Sequence, residues 1–169
     1  NKTKEKLEKV IGNRFNDFQI KNLSMAVEAA KQCNLKEKKI FRSLKKIKDI
    51  NGRLELIKTF SNNIKVFVDF AHTPDALSKS IIALKNSYKS DLSLVFGCGG
   101  DRDFKKRPLM AKVANAYCKN IYVTDDNPRN EKPEKIRKEI VKNLNNNKYF
   151  NIANRAKAIK TAIKNAEPN

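Results

Sequence analysis

The chain predicts an α/β fold built on a mainly parallel sheet, and three observations carry that prediction. Short β-rich runs recur from about residue 64 onward: Ile64 to Phe70, Leu92 to Phe96 and Ile121 to Thr124. Between and after them lie segments whose apolar residues repeat at helical spacing. The runs end in loops crowded with Asp, Arg, Gly and Pro rather than in plain two-residue turns. Strand and helix in alternation imply right-handed crossovers and helices on both faces of the sheet.

Each element has its own justification. Leu77, Ile81, Leu84 and Tyr88 form one apolar face, and Met110, Val113, Ala114 and Tyr117 the next. Ile136, Ile140, Val141 and Leu144 follow, then Ala156, Ile159 and Ile163. Tyr149 to Ala153 is a weaker, fourth strand candidate, preceded by the polar loop Asn145-Asn146-Asn147. The first fifty residues read differently. They give two amphipathic helices, Leu23 to Cys33 and Lys36 to Ile47, with one weak strand candidate before them. Asn51-Gly52 is a favourable turn and sets the expected boundary between a segment 1–51 and a domain 52–169.

Composition narrows the function classes. At 169 residues the chain has material for about one core-bearing domain. No apolar run approaches the roughly 20 residues of a membrane span, and no secretory leader is visible. The three cysteines, Cys33, Cys98 and Cys118, lack CxxC spacing and read as free thiols in a reducing cytoplasm. A formal charge of +19 invites a polyanion partner. The lysines are spread along the whole chain, however, and no nucleic-acid-binding motif accompanies them. They read as the decoration of solvated faces, so neither nucleic acid nor membrane is an expected partner.

Ligands of open parallel sheets bind beyond the carboxyl ends of the strands. The three stronger runs end in Asp69-Phe70-Ala71-His72-Thr73-Pro74-Asp75, in Gly97-Cys98-Gly99-Gly100-Asp101-Arg102-Asp103, and in Asp125-Asp126-Asn127-Pro128-Arg129. Converging on one edge, they bring together the only histidine, two arginines and several carboxylates. Thr73 or Asp75 alone can be a helix cap; three such loops together point to a binding crevice. The glycine-rich loop permits close backbone approach but matches neither dinucleotide nor P-loop spacing. His72 has no partner at metal-ligand spacing, so no metal site is expected, and no catalytic nucleophile stands out.

VDFAHTPDAL, VFGCGGDRDFKKRPLMAKVA and VTDDNPR, in that order, resemble the C-terminal part of the Mur ligases. Within that family the likeness is to the branch that adds diaminopimelate in peptidoglycan synthesis. Phe18-Gln19-Ile20-Lys21-Asn22 resembles a segment of the family's central ATPase domain, and Gly52-Arg53-Leu54-Glu55 its hinge into the C-terminal domain. The resemblance implies a Rossmann-like C-terminal domain preceded by a helical remnant of the ATPase domain. It implies ATP-dependent amide formation: the D-glutamyl carboxylate of UDP-N-acetylmuramoyl-L-alanyl-D-glutamate is phosphorylated, and the amine of meso-diaminopimelate attacks the acyl phosphate. ATP and Mg2+ are the implied cofactors, a cytoplasmic monomer the implied setting.

The same resemblance implies roles for particular residues. Arg102, Asp126, Asn127, Pro128 and Arg129 are expected to hold diaminopimelate, whose far end carries a carboxylate beside an ammonium. A guanidinium grips the carboxylate bidentately and an aspartate takes the ammonium. Asn22, Arg53, Asp69 and His72 are expected on the nucleotide side; Phe70 stands where the family usually has Tyr. The family's P-loop lies upstream of this segment and its Gly-Lys-Gly-His-Glu segment downstream. The chain is therefore expected to be a fragment truncated at both ends and inactive alone. Two rivals differ in class. A folylpolyglutamate synthase-like ligase shares Asp-x-Ala-His-x-Pro-Asp but not Asp-Asn-Pro-Arg. A basic nucleic-acid-binding module is favoured by net charge alone and predicts salt-dependent binding to DNA of any sequence.

Overall fold

The computed structural model describes residues 2–12, 15, 17–48, 50–145 and 149–167. Asn146 and Asn147 of the polar loop before residue 149 lie outside that set. The chain divides into two compact units, Asn1–Ile50 and Asn51–Asn169.

The first unit holds three helices: α1 (Lys2–Ile11), α2 (Asp17–Gln32) and α3 (Glu37–Leu44). Leu7, Val27 and Leu44 are buried together, with Val10, Ile11, Leu23, Ile40, Phe41 and Ile47 packed around them. Helix α1 corrects the sequence reading, which placed only a weak strand candidate ahead of two helices. Its apolar residues Leu7, Val10 and Ile11 sit at i, i+3 and i+4, one narrow stripe on an otherwise charged helix. That stripe is short enough to be lost among lysines, yet it seals the core. Thr3 also bonds Glu28 across to α2, and Lys6 pairs with Glu37 of α3 at 2.7 Å.

The second unit begins with an antiparallel hairpin, β1 (Glu55–Thr59) and β2 (Lys65–Val68). Then follow α4 (Pro74–Tyr88), β3 (Ser93–Phe96), α5 (Lys106–Tyr117), β4 (Asn120–Val123), α6 (Pro133–Val141), β5 (Tyr149–Asn151) and α7 (Arg155–Lys164). Strands β3, β4 and β5 form a parallel sheet in that order, with Phe96 beside Val123 and Val123 beside Asn151. The parallel α/β architecture and the weak fourth strand are as expected.

Placing the first run, residues 64–70, in the same sheet was wrong. β2 pairs with β1 instead, a strand that sequence reading overlooked because most of its residues are exposed. Strands five residues apart in sequence close a hairpin with little loop entropy, and the backbone bond from Phe60 N to Ile64 O, 2.8 Å, fastens its turn.

Strand alternation divides the sheet's two faces. Leu94, Phe96, Ile121 and Val123 share one core with Leu77 and Ile81 of α4, Met110, Ala111 and Ala114 of α5, and Ile136 and Ile140 of α6. Tyr122, one residue out of phase, is fully buried on the opposite face and stacks on Phe150 of β5, ring centroids 4.7 Å apart. Helix α7 packs against β3 and β4 outside that first core, burying Ala158 and Ala162. Helices therefore cover both faces. No helix of the described residues is long and apolar enough to cross a membrane.

Candidate functional site

Two of the strand-end loops are built to touch. A side chain on Gly97 would put its Cβ 2.3 Å from the Thr124 carbonyl oxygen, and one on Gly100 would put it 1.9 Å from that of Pro128. Only glycine lets the loop after β3 lie backbone-to-backbone on the loop after β4. The Gly100 amide then donates to Asn127 O at 2.9 Å, and Arg129 Nη1 donates to Gly100 O at 2.6 Å. Asp101 and Arg129, the residues beside the contact, are both left-handed, with φ of 48° and 50°. The glycine richness thus has a structural cause inside the site itself.

The third loop joins from the hairpin. Thr73 caps α4 by accepting from Ala76 N at 3.3 Å, and Pro74 opens the helix. Lys106 at the start of α5 donates to His72 O at 2.9 Å, tying this loop to the end of the glycine-rich one. The expected convergence of three loops thus occurs, although the hairpin lies outside the parallel sheet.

The two carboxylates after β4 part company. Asp125 turns inward: its carboxylate pairs with Arg137 of α6, whose Nε also donates to Asn151 at 2.9 Å. Its carbonyl accepts from Arg155 Nη1 at 3.1 Å. Asp126 stays exposed and accepts only from the neighbouring Asn127 amide, 2.8 Å. Asn127 Oδ1 in turn accepts from Arg129 N at 3.3 Å, a turn closed by its own side chain. Arg129 is exposed apart from its bond to Gly100. Arg102 is exposed, and neither a hydrogen bond nor an ion pair engages it among the described residues. The two joined loops therefore carry two exposed arginines, an exposed carboxylate bonded, among the described residues, only to its neighbour's amide, and an amide side chain, the groups that complement an amino-acid head.

The residues expected on the nucleotide side are less uniform. The Arg53 guanidinium lies over the Phe70 ring, 5.1 Å from its centroid, and Phe70 is 67% exposed. The ring at the tyrosine-to-phenylalanine position thus carries a cation without needing a hydroxyl. Asp69 is committed within the protein: it accepts from Leu54 N at 2.8 Å, Ala71 N at 2.9 Å and Ser80 Oγ at 2.9 Å. It buckles the hinge, the loop and α4 together. His72 is exposed, its Nδ1 3.1 Å from Phe70 O. Asn22 is exposed on α2 in the first unit. Among the described residues no three His, Cys, Asp or Glu side chains gather as metal ligands.

Sequence reading missed the support beneath the loops. Arg107, 1% exposed, forks onto Glu131 at 2.6 and 3.0 Å and reaches Glu139 at 2.7 Å. Glu131 also accepts from the Asp101 amide at 2.8 Å. Its carboxyl is pulled down to about 2, first by the Arg107 hydrogen bond and then by that amide. Arg107 follows two lysines and reads as one more surface cation, but its register, three and four residues before Met110 and Ala111, places it on the buried face of α5 and was the available signal. Cys98, under the glycine-rich loop, is buried with its sulfur 3.7 Å from that of Met110, and burial pushes its thiol up to about 11. None of the three cysteines is disulfide-bonded among the described residues, as expected.

Comparison with known proteins places this arrangement. Residues 52–169 match the family model described as Mur ligase, glutamate ligase domain. A Rickettsia bellii protein named UDP-N-acetylmuramoyl-L-alanyl-D-glutamate–2,6-diaminopimelate ligase is 43% identical over 150 residues, covering 88% of this chain and 31% of its own length. The Fusobacterium nucleatum protein of the same name is 41% identical over 170 residues, covering 99% of this chain and 35% of its own. A solved structure of a ligase with that name is 34% identical with a TM-score of 0.64, covering 90% of this chain and 31% of that one. The chain thus spans about a third of the relatives it matches. A domain match over well over half the chain makes the chain a member of the Mur ligase family.

Proposed function

We propose that the chain is the amino-acid-binding portion of an ATP-dependent ligase that adds meso-diaminopimelate to UDP-N-acetylmuramoyl-L-alanyl-D-glutamate in peptidoglycan synthesis. The observation that carries this is the exposed edge formed by Arg102, Asp126, Asn127 and Arg129 on loops locked together through Gly100. The names of the relatives support it. The distal head of diaminopimelate pairs its carboxylate with guanidinium and its ammonium with Asp126. Pro128 and the Asn127 turn hold that geometry before binding, which lowers the ordering cost. The free amine at the other end is then aimed at the acyl phosphate, and phosphate leaves as the amide forms.

In this reading residues 1–51 end the central ATP-binding domain, and Asn22, Arg53 and His72 face the nucleotide. Asp69 acts there through the loop it buckles. Mg2+ is held by portions of the ligase beyond this chain, which works in the cytoplasm as a monomer. The 169-residue chain alone neither hydrolyses ATP nor forms the amide.

Amino-acid-dependent phosphate release by the complete ligase containing this chain tests the reading. Turnover with meso-diaminopimelate and little with L-lysine, which lacks a distal carboxylate, is expected. Equal use of both amino acids contradicts it.

A further inference from the structure

Arg107 is nearly solvent-free and begins the buried stripe of α5 that continues through Met110, Ala111 and Ala114. It sits under the two substrate-facing loops and touches both. Its Nη1 donates to Glu131 Oε2 at 3.0 Å and Glu139 Oε2 at 2.7 Å. Its Nη2 donates to Glu131 Oε1 at 2.6 Å and Gly99 O at 3.4 Å. Glu131 Oε1 also accepts from Asp101 N, 2.8 Å. Asp101 returns the contact, its Oδ2 accepting from Asn130 N at 3.1 Å and Asn130 Nδ2 at 2.8 Å.

Sequence position gives these bonds their meaning. Asp101 immediately precedes Arg102, while Asn130 and Glu131 immediately follow Arg129. The clasp therefore joins the backbone at the root of one exposed arginine to the backbone at the root of the other. Both roots include a left-handed residue, Asp101 at φ 48° and Arg129 at φ 50°. Such conformations persist in non-glycine residues only where the surroundings over-determine them. Ion pairs with a buried member are often no better for stability than apolar packing; here Arg107 is buried while Glu131 and Glu139 are partly exposed, and among the described residues Arg107 Nε is buried without a hydrogen-bond partner. An arrangement selected for stability alone has simpler solutions; one selected to fix two loops needs this fork.

We propose that Arg107 and Glu131 are positioning residues that hold Arg102 and Arg129 in the relative placement required by the zwitterionic head of the amino-acid substrate. The proposal rests on the reading of the site given above. Neither residue touches substrate; both act through the loop backbones.

The test is steady-state kinetics on the complete ligase, comparing Glu131→Gln and Arg107→Lys with Arg129→Ala as the reference for direct contact. Glutamine presents an NH2 to a guanidinium, and lysine cannot reproduce the fork, so both variants loosen the clasp. The expected result is a diaminopimelate KM raised about tenfold or more, with the ATP KM and the kcat at saturating diaminopimelate within about twofold. Amide exchange at Asp101 and Asn130 in the 169-residue chain should accelerate in both variants. If Arg129→Ala raises the diaminopimelate KM and the two clasp variants do not, the clasp proposal alone is overturned. If Arg129→Ala has no effect, the reading of the site fails first. Equal losses with both substrates, or a fall in kcat alone, identify a purely structural pair and overturn the proposal.

Discussion

Replacing Gly100 with alanine tests the loop-on-loop contact that organises the site. The new Cβ would sit 1.9 Å from Pro128 O and 2.7 Å from Pro128 C, both backbone atoms. Ordinary contact begins near 3.4 Å, so the loops must separate by roughly 1.5 Å. That movement breaks the Gly100 N to Asn127 O bond of 2.9 Å and strains the Arg129 to Gly100 O bond of 2.6 Å. Overpacking of this kind costs about 1–3 kcal/mol, and one or two lost hydrogen bonds add about 0.5–1.5 kcal/mol each. The sum, about 1.5–6 kcal/mol, is a large share of a domain's usual 5–15 kcal/mol. Gly99→Ala supplies the control. Its Cβ meets Arg129 Nη1 at 2.8 Å, the far end of a side chain rather than backbone, so the cost there should be about that of straining the one Arg129 to Gly100 O bond, about 0.5–1.5 kcal/mol, and smaller than at Gly100. Urea unfolding of the 169-residue chain, followed by amide signals from β3 and β4 so that only the second unit is read, measures both. Equal midpoints for Gly100→Ala and the parent would refute the close-contact reasoning.

Two further outcomes concern ionisation. Glu131 has its carboxyl lowered to about 2 from an ordinary 4.5, so its contribution to stability is complete above pH 4.5 and is lost as pH falls toward 2. The urea midpoints of parent and Glu131→Gln should therefore differ at pH 7, approach each other as pH falls below 4.5 and converge only near pH 2; a gap that persists unchanged at low pH contradicts the Arg107 pairing. Cys98 and Cys118 are buried with thiols pushed up to about 11 and about 12, whereas Cys33 is exposed. Iodoacetamide at pH 8 should label Cys33 quickly and the other two only in denaturant; rapid labelling of Cys98 in the native chain contradicts the packing beneath the glycine-rich loop.

What could be read from the sequence followed the strength of each local signal. β4 is buried from Ile121 to Val123 and β3 is apolar from Leu94 to Phe96, and α4 to α6 carry repeated apolar faces, so their periods were unambiguous. β1 has mostly exposed residues, and β2 borders its own hairpin partner; nothing in either run says which sheet it joins. α1 has three apolar residues among lysines and glutamates, too few to outweigh its charge. In the site, the family resemblance implied Asp126, Asn127, Pro128, Arg129 and Arg102, which lie on two loops joined through Gly100. Composition could not separate Asp125 from Asp126, because the difference is made by Arg137, twelve residues on in another element. The Arg107–Glu131 pairing was invisible for a similar reason: the register of α5 marks Arg107 as inward, but nothing in the sequence says which carboxylate of another element meets it. The same holds for Asp69, whose carboxylate is used up by Leu54, Ala71 and Ser80.

The central claim is that Arg129 grips the distal carboxylate of diaminopimelate, and kinetics of Arg129→Ala and Arg129→Lys in the complete ligase test it most directly. Charge-assisted hydrogen bonds contribute about 1.5–3 kcal/mol each, and a stranded ligand carboxylate adds to the loss. Using diaminopimelate should therefore become about tenfold to several-hundredfold less efficient. Lysine should restore little, since an ammonium cannot form the fork. The ATP KM should barely move, because Arg129 lies on the loop after β4 and the nucleotide is assigned to the hinge and hairpin side. A diaminopimelate KM and kcat unchanged in both variants, or an equal loss for ATP, would contradict the account.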